Sequence, residues 1–235
     1  MRLIPFLRSS GFGLTQTISA DTSNYNLRTA ALAAGWDGAA PLIANITIDS
    51  GIVVDSTSTS TYAFDVGTTA YPDGSSLALT SLGYIVGMGG AGASNTGYGF
   101  PGGPALRIIA SLPATINNAS GTIGGGGGGG GASGSRGGGG GRSGRTNSAG
   151  GSGMYGSGGA GTFTSGGKGG STGGGAGGTT GPGADASGNG GGGGGGWGAS
   201  GGSASSYSGG GGGAAVVGND YITWTNTGLR YGSIT

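Results

Sequence analysis

Residues 124–131 read GGGGGGGG, and oligoglycine returns at 137–141, 190–196 and 209–213. Between 124 and 213, glycine fills 49 of 90 positions, against 69 in the whole 235-residue chain. Inserts of another character interrupt the runs: RSGRTNS at 142–148, SGMYGS at 152–157, TFTSGGK at 162–168, ADASGN at 184–189, WGAS at 197–200 and SASSYS at 203–208. Glycine gives up roughly 0.5–1 kcal/mol more than alanine on ordering. Large apolar side chains are too scarce here to offset that by burial, so an ordinary hydrophobic core is excluded over this stretch. Two states remain. One is a flexible Gly/Ser tether. The other is a bundle of extended threefold helices of polyglycine II type, like polyproline II, whose bare backbones approach closely and bond to one another. The runs are of similar length, and Tyr155, Phe163, Trp197 and Tyr207 stand near their ends, where turns would fall. Both features favour the bundle. Collagen fits poorly, because the glycines keep no strict period of three and Pro182 is the only proline in the stretch.

Outward on the N-terminal side, residues 42–123 read as strands, the β-rich base from which the glycine bundle (124–213) emerges. ITIDSGIVVDS (46–56), LALTSLGYIVGMGGAG (77–92) and ATINNASGTIGGGG (114–127) share one grammar: apolar strand, Asn/Asp/Ser-Gly turn, short strand, glycines. Their spacing of roughly 35 residues predicts the rungs of a small β-solenoid, with an antiparallel sandwich as the competing architecture. On the other side, residues 214–235 return to strand grammar and are expected to pack back beside 105–123. Residues 1–41 are expected to form a docking arm, with one short helix at 26–34; the competing reading of residues 1–20 is a strand that covers the next domain. Its candidate caps are Asp21, Thr22, Ser23 or Asn24, its stop is Gly35, and Trp36 packs beneath it. The fold class is therefore mostly β with a polyglycine bundle.

Composition narrows the chemistry. Only 7% of residues are charged, the net charge is +1, and His, Cys and Glu are absent. Disulfides and thiolate metal sites do not exist, and most general bases and nucleophiles vanish together. No enzyme, cofactor or metal is expected. Asp49, Asp55, Asp65 and Asp73 read as turn-makers. The GxGxxG matches carry no information at this glycine content, and Gly169 stands where a phosphate loop needs Ser or Thr after Lys168. Near-neutral charge argues against nucleic acid as partner. No window approaches a membrane span, so no membrane insertion is expected. Without a convincing secretion signal, the protein is expected to be made in a cytosol and, if it works outside, to leave by lysis or in a larger particle.

The wording of residues 79–92, GGPALRI (102–108), 115–131 and the closing YITWTNTGLRYGSI (221–234) resembles glycine-rich bacteriophage tail-fibre and receptor-binding proteins. The long glycine runs with short inserts are similar to the polyglycine-sandwich adhesins at the tips of certain long tail fibres. The resemblance implies a non-catalytic adhesin in the virion tail that recognises an outer-membrane protein or polysaccharide of the host. It implies attachment to other tail proteins through the N-terminal region and leaves a homotrimer open. The inserts become the host-range loops, with Arg142, Arg145, Asn147, Met154, Tyr155, Phe163, Lys168, Trp197 and Tyr207 as receptor contacts and Tyr98 and Phe100 as secondary candidates. The competing reading of the aromatics is that they plug the ends of the bundle. Exchanging 142–148 and 162–168 for Ala/Ser is then expected to abolish attachment without lowering the melting temperature. The alternatives are an ice-binding glycine bundle, which thermal hysteresis would reveal, and a glycine-rich spacer, which proteolysis within 124–213 would reveal.

Overall fold

In the computed structural model, which describes residues 11–171 and 173–235, strand follows strand around a three-sided coil. The first rung is β1 (Phe12–Ile18), β2 (Thr22–Ser23) and β3 (Tyr25–Asn26), and the second is β4 (Leu42–Ile48), β5 (Val53–Asp55) and β6 (Phe64–Asp65). The third is β7 (Ser76–Ser81), β8 (Tyr84–Val86) and β9 (Leu106–Arg107); the fourth is β10 (Ala114–Asn117), β11 (Thr122–Gly124) and β12 (Val216–Val217). A partial fifth rung holds β13 (Ile222–Asn226) and β14 (Leu229–Tyr231). First strands pair with first strands, second with second and third with third, always in parallel, giving sheets of five, five and four strands. The base is thus a parallel β-solenoid and not an antiparallel sandwich.

Residue alternation builds this coil. Inward positions of the first sheet stack as Leu14, Ala44, Leu77, Ala114 and Ile222, and those of the third sheet as Tyr25, Phe64, Leu106 and Val216. Most of these side chains are buried in one continuous core. Outward positions of the first sheet (Thr15, Asn45, Ala78, Thr115, Thr223) are small or polar and face solvent. The described part of the expected N-terminal arm is instead the first rung, since β1 pairs with β4 from Phe12 to Ile18. The expectation for residues 1–10 lies outside the described residues. The helix α1 (Leu27–Ala33) is present, but its cap is Asn26, whose side chain accepts the N–H of Thr29 at 2.9 Å. Gly35 ends it at φ +100°, and Trp36 is buried, stacked on Tyr71 at 5.5 Å.

Each rung leaves the coil at the same corner, between its second and third strands. The first detour is Asn24 alone, the second is 56–63, the third 87–105 and the fourth 125–215. The glycine-rich stretch is one corner loop grown large. Its segments run alternately away from the coil and back, beside two segments (87–93 and 99–103) contributed by the third rung.

Inside this bundle, hydrogen-bond partners recur at every third residue. Gly126, Gly129 and Ala132 donate to Gly103, Phe100 and Gly97; Gly127 and Gly130 donate to Arg142 and Gly139; Gly128 and Gly131 donate to Ala199 and Gly202. The same run accepts from Gly87, Gly90 and Ala93, from Gly210 and Gly213, and from Gly192, Gly195 and Gly198. It therefore donates to three segments and accepts from three others. The 190–196 run is surrounded in the same way, donating toward 128–131, 167–170 and 181–184 and accepting from 139–142, 175–178 and 199–202. A Cβ on Gly126, Gly129 or Gly194 would land on the carbonyl of Met88, Ala91 or Gly140. That closeness is why these positions are glycine.

Candidate functional site

Because the chain reverses at every turn, the inserts alternate between the two ends of the bundle. Turns at 142–148, 162–165 and 197–199 meet the solenoid, and the 179–182 turn lies at the same end, where Thr179 O accepts from Arg142. Turns at 94–98, 132–136, 153–156, 187–189 and 204–207 gather at the far end, with Ser171 and Gly173 beside them.

The near turns are a joint. Asp55, buried on β5, accepts from Ser23 Oγ at 2.6 Å and from the backbone N–H of Arg145 at 2.6 Å, and the Arg145 guanidinium lies 3.4 Å away. Asp55 was expected only to make a turn; it ties the bundle to the coil. Asp65 likewise holds Arg107 through paired bonds of 2.8 and 2.6 Å. Trp197 is only 3% exposed, donates to Ser143 O at 3.1 Å, and packs with Phe163, Tyr84 and Tyr231. Arg142 lies across the Trp197 ring at 3.4 Å and donates to Phe163 O at 2.8 Å and Thr179 O at 2.7 Å. Burial lowers the Arg142 pKa from its ordinary value. Arg142, Arg145, Phe163 and Trp197 thus share one end of the bundle with the solenoid wall.

The far turns form the exposed surface. Met154 is 80% exposed, Tyr155 66% and Tyr98 65%. Tyr98 meets Tyr207 edge-on at 5.4 Å, and Arg136 lies 5.8 Å from the Tyr155 ring. The turns brace one another: Gly97 bridges Ala132, Tyr155 N–H donates to Ser135 O at 3.1 Å, and Arg136 donates to Asn189 O at 2.8 Å. Asn95, Ser135, Ser171 and Ser205 adopt positive φ here, four of the five described non-glycine residues that do. Such conformations are uncommon and concentrate where a structure constrains its loops. Phe100 and Asn147 are exposed on the flank, lining a groove of about 430 Å³ with Thr57, Thr59 and Met88, while Lys168 projects from the middle of a run. Among the candidate contacts, the far end therefore brings together Met154, Tyr155, Tyr207 and Tyr98. The 132–136 and 187–189 turns, with Ser171 and Gly173, join them, and of these Arg136, Ser171 and Gly173 were not expected to matter.

No helix among the described residues is long and apolar enough to cross a membrane, and no cluster of three carboxylates among them could hold a metal. A hydrogen-bonded frame that carries a patch of exposed aromatic turns has the architecture of a binding protein of the adhesin class. The chain belongs to the phage tail fibre adhesin Gp38 family, which it matches over residues 14–235. Its structure is similar to that of a chain in the gp37–gp38 adhesin tip complex of the bacteriophage S16 long tail fibre, with 26% identity and a TM-score of 0.66. The similarity covers 95% of this chain and 82% of the other. A comparison with curated protein sequences finds no match. This is a phage receptor-binding adhesin, a component of the virion tail.

Proposed function

We propose that the far-end turns are the receptor-reading surface and the near turns are the joint that holds it to the solenoid. Tyr98, Met154, Tyr155 and Tyr207 then contact a molecule of the host outer surface, and Arg136 accompanies them. The observation carrying this reading is that large apolar side chains stand 65–80% exposed at the end remote from the solenoid. Exposed aromatics have few rotatable bonds and make low-cost anchors. Recognition proceeds without catalysis: the frame holds the turns in place, and turn residues vary without disturbing it. The solenoid docks onto a fibre protein, as the S16 chain stands in complex with gp37.

Adsorption of purified full-length protein to host cells tests the assignment. The double variants Met154→Ala/Tyr155→Ala and Tyr98→Ala/Tyr207→Ala should each cost about 2 kcal/mol or more in binding, roughly thirtyfold, with the melting temperature unchanged. Replacing 142–148 should instead lower the melting temperature, the reverse of the sequence-based expectation. Unaltered adsorption by both double variants refutes the assignment.

A further inference from the structure

Between the 132–136 and 187–189 turns and the residues Ser171 and Gly173 lies a cavity of about 330 Å³, lined also by Arg136, Ser187, Asn189 and Gly190. Among the described residues that line it, Arg136 alone is charged. One guanidinium nitrogen donates to Asn189 O at 2.8 Å, while Nε is buried and meets no acceptor among the described residues. A buried donor left without a partner costs free energy that a ligand acceptor would recover. None of the five far turns contains an acidic residue. Asp185, in the run leading to 187–189, accepts the N–H of Ser203 at 2.6 Å.

We propose that this cavity takes the phosphate or carboxylate of an anionic sugar on the bacterial surface, an inference that rests on the far end being the receptor-reading surface. The guanidinium offers the planar fork that matches either anion. The remaining lining is hydroxyl, amide and bare backbone, which suits a hydroxylated ring. An apolar protein anchor would find no greasy wall there. Tyr155, beside Arg136, provides a ring face for the sugar's C–H groups.

The test is an NMR titration of the full-length protein with glucose 1-phosphate and with glucuronate, against glucose and inorganic phosphate. Saturable shifts of Arg136 Nε–H and of the Asn189 and Gly190 amides are expected with one or both anionic sugars. The stronger response separates a phosphate site from a carboxylate site. Glucose should be silent, and inorganic phosphate at least tenfold weaker. R136Q should weaken binding tenfold or more. If R136Q does not fold, R136K, which keeps the charge but loses the fork, and S171G, which relieves a positive φ while removing a hydroxyl, should each weaken it severalfold. No saturable shift with either anionic sugar overturns the proposal, as does equal response to glucose or wild-type binding by the variants. If wild-type protein adsorbs to cells while the titration is silent, this inference falls and the receptor-reading surface stands. If the titration succeeds and the tip variants adsorb unchanged, the surface assignment falls instead.

Discussion

Gly128 and Gly211 sit in runs that look alike in sequence but differ in their surroundings. A Cβ on Gly128 would strike the Gly210 carbonyl, whereas one on Gly211 would meet nothing within 4 Å, and neither residue has positive φ. Gly128→Ala should therefore cost about 3 kcal/mol, at the upper end of overpacking because the obstacle is backbone. Gly211→Ala should stabilise by about 0.4–1 kcal/mol by restricting the unfolded chain. Thermal unfolding of the two variants measures both effects. Sequence alone does not separate these glycines, because the distinction lies in which neighbour each residue faces. Asp55 was obscured in a similar way: its partners Ser23 and Arg145 are distant in the chain, so only its local turn character was legible.

At the scale of elements, the end of the bundle to which an insert belongs follows from counting reversals. The first run departs from the solenoid at Gly124, so turns fall alternately far and near until the chain rejoins the coil at Val216. That parity was present in the sequence, but short inserts such as GASGSR, STGG and TTGP were too glycine-like to be counted as turns. Trp197 is ambiguous in sequence for a related reason: among glycines it reads either as displayed or as a plug for a bundle end, and a large ring beside a lattice without side chains is what fills the junction with the solenoid. Trp197→Ala should cost about 3–5 kcal/mol, lowering the unfolding temperature while folded protein still adsorbs. Asp55→Ala should destabilise more than Arg145→Ala. Asp55 is fully buried, whereas the Arg145 side chain is 39% exposed and its loss leaves Asp55 still bonded by Ser23 and the Arg145 backbone N–H. Paired denaturation curves would show the order.

For the whole molecule, the solenoid was the most legible part, because strand, turn and short strand recur with the same apolar alternation at 46–56, 77–92 and 114–127. The first rung was less legible, readable as an arm or as a covering strand, because FGLTQTI places Gln16 in an inward column, where Tyr25 OH donates to its side-chain oxygen at 2.9 Å. The absence of His and Glu removes the side chains that usually titrate from moderately acidic to neutral pH. Burial raises the pKa of Tyr25 and of Tyr71 to about 12. The unfolded chain loses these protons near 10 and the folded chain only near 12, so their contribution is full below about pH 10 and is lost as pH rises toward 12. The melting temperature should stay flat from about pH 6 to 9 and fall above 10.

The central claim is that the glycine-rich corner loop is an ordered lattice on which the tip turns are mounted. Amide hydrogen exchange on the full-length protein addresses it most directly. Residues 125–131, 138–141 and 191–196 should exchange as slowly as the inward strands of the solenoid, while 153–156 and 204–207 exchange fast. Exchange of the oligoglycine amides as fast as those tips would mean that no lattice exists in solution.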